Sequence, residues 1–141
     1  MSIVVDDRLS PEELARTLDF LVDDAYWNRW RSRDQIRRQF ESAWKVYAAR
    51  ASDSGQLLGA VRVSSDGVSY GYIADGFVFP EHRGEGIASA VLDHLLSDPD
   101  AEDFRWMLHT ADAHPLYSRF GFVAYGPTYM ERPSKHNQPT R

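Results

Sequence analysis

The chain has no cysteine in 141 residues, which excludes a disulfide framework, a thiolate metal site and a cysteine nucleophile. It has no lysine or arginine block and no basic stripe interleaved with aromatics. With a formal charge of −5, that argues against a nucleic-acid surface. No apolar run reaches membrane-spanning length, and the start Met1-Ser2-Ile3-Val4-Val5-Asp6-Asp7 lacks the basic segment and apolar stretch of a signal peptide. A cytoplasmic protein with no membrane partner is expected. Neither a Walker lysine nor a G-x-G-x-x-G run is present, so the usual cradles for a nucleoside triphosphate or a dinucleotide are missing.

What is present is the composition of a globular protein, 43% hydrophobic and 26% charged, long enough for one domain with a real core. Aromatic residues, 13% of the chain, are assigned mostly to that core. The segment Pro133-Ser134-Lys135-His136-Asn137-Gln138-Pro139-Thr140-Arg141 has nothing apolar to bury and reads as a flexible tail behind a single domain, residues 1–132.

Periodicity orders the elements. Residues 3–5 read as a first strand. Ser10-Pro11-Glu12-Glu13 then supplies an N-cap, a proline at the first helical position and a capping-box glutamate for a helix with Leu14, Leu18, Leu21 and Ala25 on one face. A second capping box, Ser32 with Gln35, opens a helix that buries Ile36, Phe40 and Ala43. Residues 44–51, 57–64 and 68–79 read as three strands of an antiparallel meander, joined by glycine-containing turns. In the last of them strict alternation puts Tyr70, Tyr72, Ala74, Gly76 and Val78 on one face and Ile73, Asp75, Phe77 and Phe79 on the other, with Gly76 a candidate bulge. A helix from Ile87, a strand over 104–110, a short helix over 115–120 and a last strand over 122–125 complete the order. Because the helix from Ile87 joins two strands of one sheet, those strands should lie parallel.

The most informative stretch is Phe77-Val78-Phe79-Pro80-Glu81-His82-Arg83-Gly84-Glu85-Gly86-Ile87-Ala88-Ser89-Ala90, a strand, a turn with two glycines and a helix start. Such a junction aims unpaired backbone N–H groups and the positive end of a helix dipole at one spot, which is a phosphate-binding device. A phosphorylated ligand held chiefly by backbone is expected.

The turn fits R/Q-x-x-G-x-G/A through Arg83, Gly86 and Ala88. In its strand–turn–helix setting it resembles the acyl-CoA-binding signature of the GNAT superfamily of N-acetyltransferases. The block Leu108-His109-Thr110-Ala111-Asp112-Ala113-His114-Pro115-Leu116-Tyr117-Ser118-Arg119-Phe120-Gly121-Phe122 is similar to the family's strand, helix and Tyr-x-x-Phe-Gly-Phe segment. The resemblance spans roughly residues 3 to 132 and is nearest to small bacterial-type members. It implies an α/β (α+β) fold: a mixed, mostly antiparallel sheet flanked by helices, with a central parallel strand pair.

It implies function as well. The cofactor would be acetyl-CoA, its pantetheine arm along the long strand at Phe77 and Val78, and its diphosphate over the N–H groups of Arg83, Gly84, Glu85, Gly86, Ile87, Ala88 and Ser89. Glu85 is a departure, since an acid facing the diphosphate weakens its binding. The reaction would be direct attack of a primary amine, on a small molecule or peptide, upon the thioester. The Val78 N–H would receive the oxyanion and Tyr117 would act as general acid. The alternative for Tyr117 is core packing with its hydroxyl on a backbone carbonyl. Asp75 is the first candidate base, its alternative being a partner for an arginine or a backbone donor; His109, Asp112 and water are further candidates. Tyr26 and Trp27, with Trp30, are candidate walls of the acceptor pocket, core packing being their rival. His109, Asp112 and His114 are accounted for by the family block, and no metal is expected. A monomer or homodimer is compatible with this reading. A non-catalytic acyl-CoA-binding module of the same fold is the alternative.

Overall fold

The computed structural model describes residues 2–25 and 30–136. It divides into two compact units, Met1–Thr110 and Ala111–Arg141. The first holds β1 (Ile3–Asp6), α1 (Pro11–Asp23), α2 (Arg33–Glu41), β2 (Lys45–Ala51), β3 (Leu57–Ser64), β4 (Tyr70–Val78), α3 (Ile87–Leu96) and β5 (Arg105–Leu108). The second holds α4 (His114–Ser118).

Both N-terminal helices start where their capping chemistry places them. Ser10 Oγ accepts from the Glu13 N–H (3.1 Å) while the Ser10 N–H donates to Glu13 Oε1 (2.9 Å). Ser32 and Gln35 repeat the arrangement at 3.1 and 2.7 Å. Each box satisfies donors that a helix start leaves without intrahelical partners.

The sheet runs β1-β2-β3-β4-β5, antiparallel except for the β4–β5 pair. The crossover through α3 is therefore the parallel connection that the element order requires. One face of the sheet is covered by α1 and α2, whose Leu18, Phe20, Leu21, Ile36 and Phe40 pack with Ala48, Ala60, Phe77 and Phe79. The other is covered by α3, which buries Ile87, Val91, Leu92 and Leu95.

Register departs from the alternation expected in β4. Ile73 lies opposite Val63 and Ala74 opposite Arg62, but Phe77 lies opposite Ala60, so Asp75 and Gly76 together face the single residue Val61. This is a β-bulge, and it inverts the phase of the strand. Ile73 and Phe77 thus point to opposite faces, not to a shared one. The positive φ sits on Asp75 (+52°), while Gly76 is not in the left-handed region.

Residues 122–125 form no strand, and Val123 and Tyr125 are exposed. Four alternating residues do not make a strand unless a neighbour pairs with their N–H and C=O groups. Consequently the parallel pair ends the strand order and is not central to it.

In the second unit the Tyr-x-x-Phe-Gly-Phe segment is a helix stop. Gly121 takes φ +87°, its N–H donates to Ser118 O (3.2 Å), and the Phe122 N–H reaches back to Tyr117 O (3.2 Å). The Tyr117 and Phe122 rings meet at 5.6 Å. This is a Schellman motif with its usual apolar contact.

Candidate active site

The β4–β5 ladder covers only Tyr70–Arg105 to Ile73–Leu108, whereas β4 continues to Val78. β5 ends at Leu108, so beyond Ile73 this edge of β4, which leads to the glycine turn, has no strand beside it among the described residues. Amide direction along this stretch follows from the other edge. Phe79 N–H donates to Leu58 O on β3 (3.0 Å), and successive residues of a strand point their amides to alternate edges, so the Val78 N–H is directed away from β3. Phe77 differs from Val78. Its ring is buried against Phe20 (5.2 Å) and Phe79 (5.1 Å), so the side chain belongs to the core.

At the turn, Gly84 and Gly86 both have φ +80°, a conformation that a Cβ would strain. The N–H groups of His82 and Arg83 close on Phe79 O and Pro80 O, and that of Ala90 on Gly86 O. Between them, the N–H groups of residues 84–89 donate to no protein acceptor among the described residues. No side chain caps α3 and no acid stands in its first turn, so its dipole is uncompensated. Ile87 anchors the helix start in the core, and Ala88 and Ser89 are half-buried. Arg83 Nε lies 3.4 Å from Val78 O, so its exposed side chain borders the open edge of β4. Glu85 turns toward His82, with Oε2 3.5 Å from Nδ1. On the α1 side of the turn lies a groove of about 570 Å³ whose rim carries the carboxylates of Asp19, Asp23, Asp24 and Glu81 against Arg16 and Arg83.

Asp75 is a poor candidate for the base. Its oxygens accept from Arg31 Nη1 (2.8 Å) and Nη2 (2.7 Å) and from Arg62 Nε (2.7 Å), and its side chain is 3% exposed. Burial by itself would raise its pKa. The Arg31 hydrogen bonds and the two guanidinium charges outweigh that and hold the carboxyl below the usual aspartate range. A carboxylate so stabilised has little affinity for a proton. Its part is to clamp the bulge, and aspartate tolerates positive φ better than most residues. Arg62 was missed from sequence, although it is the one charge in the apolar run of β3, as Asp75 is in β4. Two lone opposite charges on neighbouring strands are a signal for pairing.

Tyr117, in the second unit, is pushed above the ordinary tyrosine range by burial and by the nearby charge of Asp112. Its phenol stays protonated at neutral pH. Its hydroxyl makes no protein hydrogen bond among the described residues, unlike the backbone-bonded alternative. Tyr26 and Trp27 lie outside the described residues, and Trp30 is 52% exposed. Among the described residues no group of three or more metal-ligating side chains stands together, and no helix is long and apolar enough to cross a membrane.

The site thus consists of a strand edge left without a neighbour and a glycine turn lined with unpaired amides. A model of the acetyltransferase (GNAT) family matches residues 11–122, and the chain belongs to that family. It is similar to a GNAT-family protein from Xanthomonas campestris pv. campestris, with 29% identity, a TM-score of 0.82, and coverage of 95% of this chain and 94% of the other. A GNAT-family protein from Streptococcus pneumoniae shares the fold at 20% identity and a TM-score of 0.71, covering 95% of this chain and 99% of that one. So does a glucosamine-6-phosphate N-acetyltransferase from Arabidopsis thaliana, at 14% identity and 0.65, covering 94% and 99%. A search of curated proteins found no match.

Proposed function

We propose that this GNAT acetyltransferase uses acetyl-CoA to acetylate a primary amine of a small molecule or peptide by direct attack. The observation that carries the reading is the row of unpaired amides over residues 84–89, reached from the edge of β4 that has no strand beside it beyond Ile73 among the described residues. Those amides and the α3 dipole suit a diphosphate, and an unpartnered strand edge suits a pantetheine arm that adds its own amides to it. The residues fit the cofactor in one further respect: a Cβ built at Gly84 or Gly86 meets nothing within 4 Å, so the space over both is open to a ligand.

Acetyl-CoA, when bound, supplies the thioester; the rest falls to the chain. The Val78 N–H, directed at the open edge, is placed to stabilise negative charge on the carbonyl oxygen. Tyr117, protonated at neutral pH, is suited to donate to the leaving thiolate. The four carboxylates on the groove rim favour an acceptor carrying positive charge.

The test is thiol release from acetyl-CoA across a panel of amines: glucosamine 6-phosphate, an aminoglycoside, a polyamine, and peptides with free amino termini or lysines. Amine-dependent release is expected, and Tyr117→Phe should lower kcat at least about tenfold, roughly 1.4 kcal/mol of barrier, with little change in cofactor affinity. Tight acetyl-CoA binding with no amine-dependent release would instead favour the non-catalytic module.

A further inference from the structure

The glycine turn has the donors for an anion, yet it carries two acids of its own, Glu81 and Glu85. Glu85 stands inside the row of unpaired amides, where a carboxylate is drawn by the same donors and helix dipole that suit a diphosphate. It has not folded back on them: among the described residues no N–H of residues 84–89 donates to Glu85. Its carboxylate lies instead beside His82, Oε2 3.5 Å from Nδ1, an electrostatic contact longer than a good hydrogen bond.

His82 is the fixed member of this pair. It closes a single 3-10 helical turn over Pro80–His82, its N–H donates to Phe79 O at 2.9 Å, and its side chain is 17% exposed against 40% for Glu85. Nε2 is buried with no protein partner among the described residues. A proton on Nε2 would be a buried donor without an acceptor, whereas a proton on Nδ1 faces the carboxylate. Both ends of the ring therefore favour the tautomer protonated on Nδ1.

We infer that His82 is a positioning residue of the cofactor site, its Nδ1–H holding the Glu85 carboxylate off the turn's amides and so keeping them open to the diphosphate. The inference rests on the acetyl-CoA reading. Glu81 has a different keeper: its Oε1 pairs with Arg16 Nη2 at 3.2 Å, and the Arg16 guanidinium is seated on the Phe79 ring at 3.8 Å. Only Glu85 stands among the free donors and depends on the histidine. Loss of His82 acts in two ways. The released carboxylate accepts from the amides in the ligand's place, as a helix-capping acid does, and its charge repels a diphosphate.

The probe is CoA, which carries the diphosphate and has no thioester to be consumed, titrated calorimetrically into the whole protein at low ionic strength. His82→Ala is expected to raise the Kd about tenfold, and adding Glu85→Gln to it should bring the Kd back to within about threefold of the parent. Adding Glu81→Gln instead should restore nothing, because that acid keeps its arginine. A purely structural role of His82 would not be undone by removing one charge. Should His82→Ala fail to fold, His82→Phe, which keeps a ring in the buried space, serves in its place with the same expected loss and rescue. In the ligand-free protein, nitrogen NMR of the His82 ring should show Nδ1 protonated, and an unprotonated Nδ1 overturns the inference. A Kd within about twofold of the parent in the His82 variant, or a loss that Glu85→Gln leaves untouched, overturns it as well. No CoA binding by the unaltered protein overturns the cofactor reading itself, a result read before any substitution is made.

Discussion

The two halves of β4 make an instructive pair. Residues 70–73 are paired with β5, and Tyr72 and Ile73 with β3 as well, whereas residues 74–78 run beside β3 alone. Both halves are apolar and aromatic, so composition does not separate them. The closed half is welded by large side chains: Gly71 exists because the Trp106 ring crosses directly over it, and a Cβ there would stand 2.5 Å from that ring. The open half is governed by one charge. Asp75 at positive φ, bound to Arg31 and Arg62, breaks the alternation at a bulge. The open half thus owes its irregular course to a bulge and an ion-pair clamp.

Breaking the clamp should have the largest effect. Asp75→Ala leaves two largely buried guanidinium groups without their carboxylate, and a loss of about 3–5 kcal/mol is expected by urea unfolding, against well under that for an exposed pair. A loss below about 1 kcal/mol would show that the bulge persists without the clamp. In the closed half, Gly71→Ala should cost about 1–3 kcal/mol through overpacking against Trp106 and Phe104. An unchanged melting temperature would contradict the described fit of the rings.

Acid should loosen the clamp gradually. Because the folded pKa of Asp75 is lowered, its contribution is complete above the unfolded aspartate value of about 3.9 and is lost as pH falls below it. Glu13, brought from 4.5 to about 2 chiefly by the Arg50 hydrogen bond, acts in the same direction. Urea midpoints measured from about pH 5 to pH 2 should therefore fall, and fall less steeply in Asp75→Asn. Equal slopes would detach Asp75 from acid stability. The smallest effect is expected at Gly76→Ala, where a Cβ meets Val61 Cγ2 at 3.4 Å and φ is not left-handed. A stability change within about 0.5 kcal/mol is expected, and a loss as large as that of Gly71→Ala would erase the contrast between the halves.

Much of this was legible in residue order. The capping boxes at Ser10 and Ser32 set their helices because they act within one turn, and β3 falls over residues 57–64 as its apolar run and flanking turns indicate. The glycine turn was equally readable, since two left-handed glycines before a helix form a local device. What failed depended on distant partners. Alternation along β4 misplaced Ile73 relative to Phe77 because a bulge is a property of two strands together. Residues 122–125 have a strand's pattern without a strand's neighbour.

The same division runs through the candidate site. Sequence by itself determined the glycine turn, the helix starts and the GNAT family, all carried by short-range spacing. Only the tertiary structure decided that Asp75 is a clamp, that Arg62 is its partner across the sheet, and that Tyr72 meets His109 where β5 ends. Protonation and pairing depend on what stands within a few ångströms in space, and neighbours in space are often far apart along the chain.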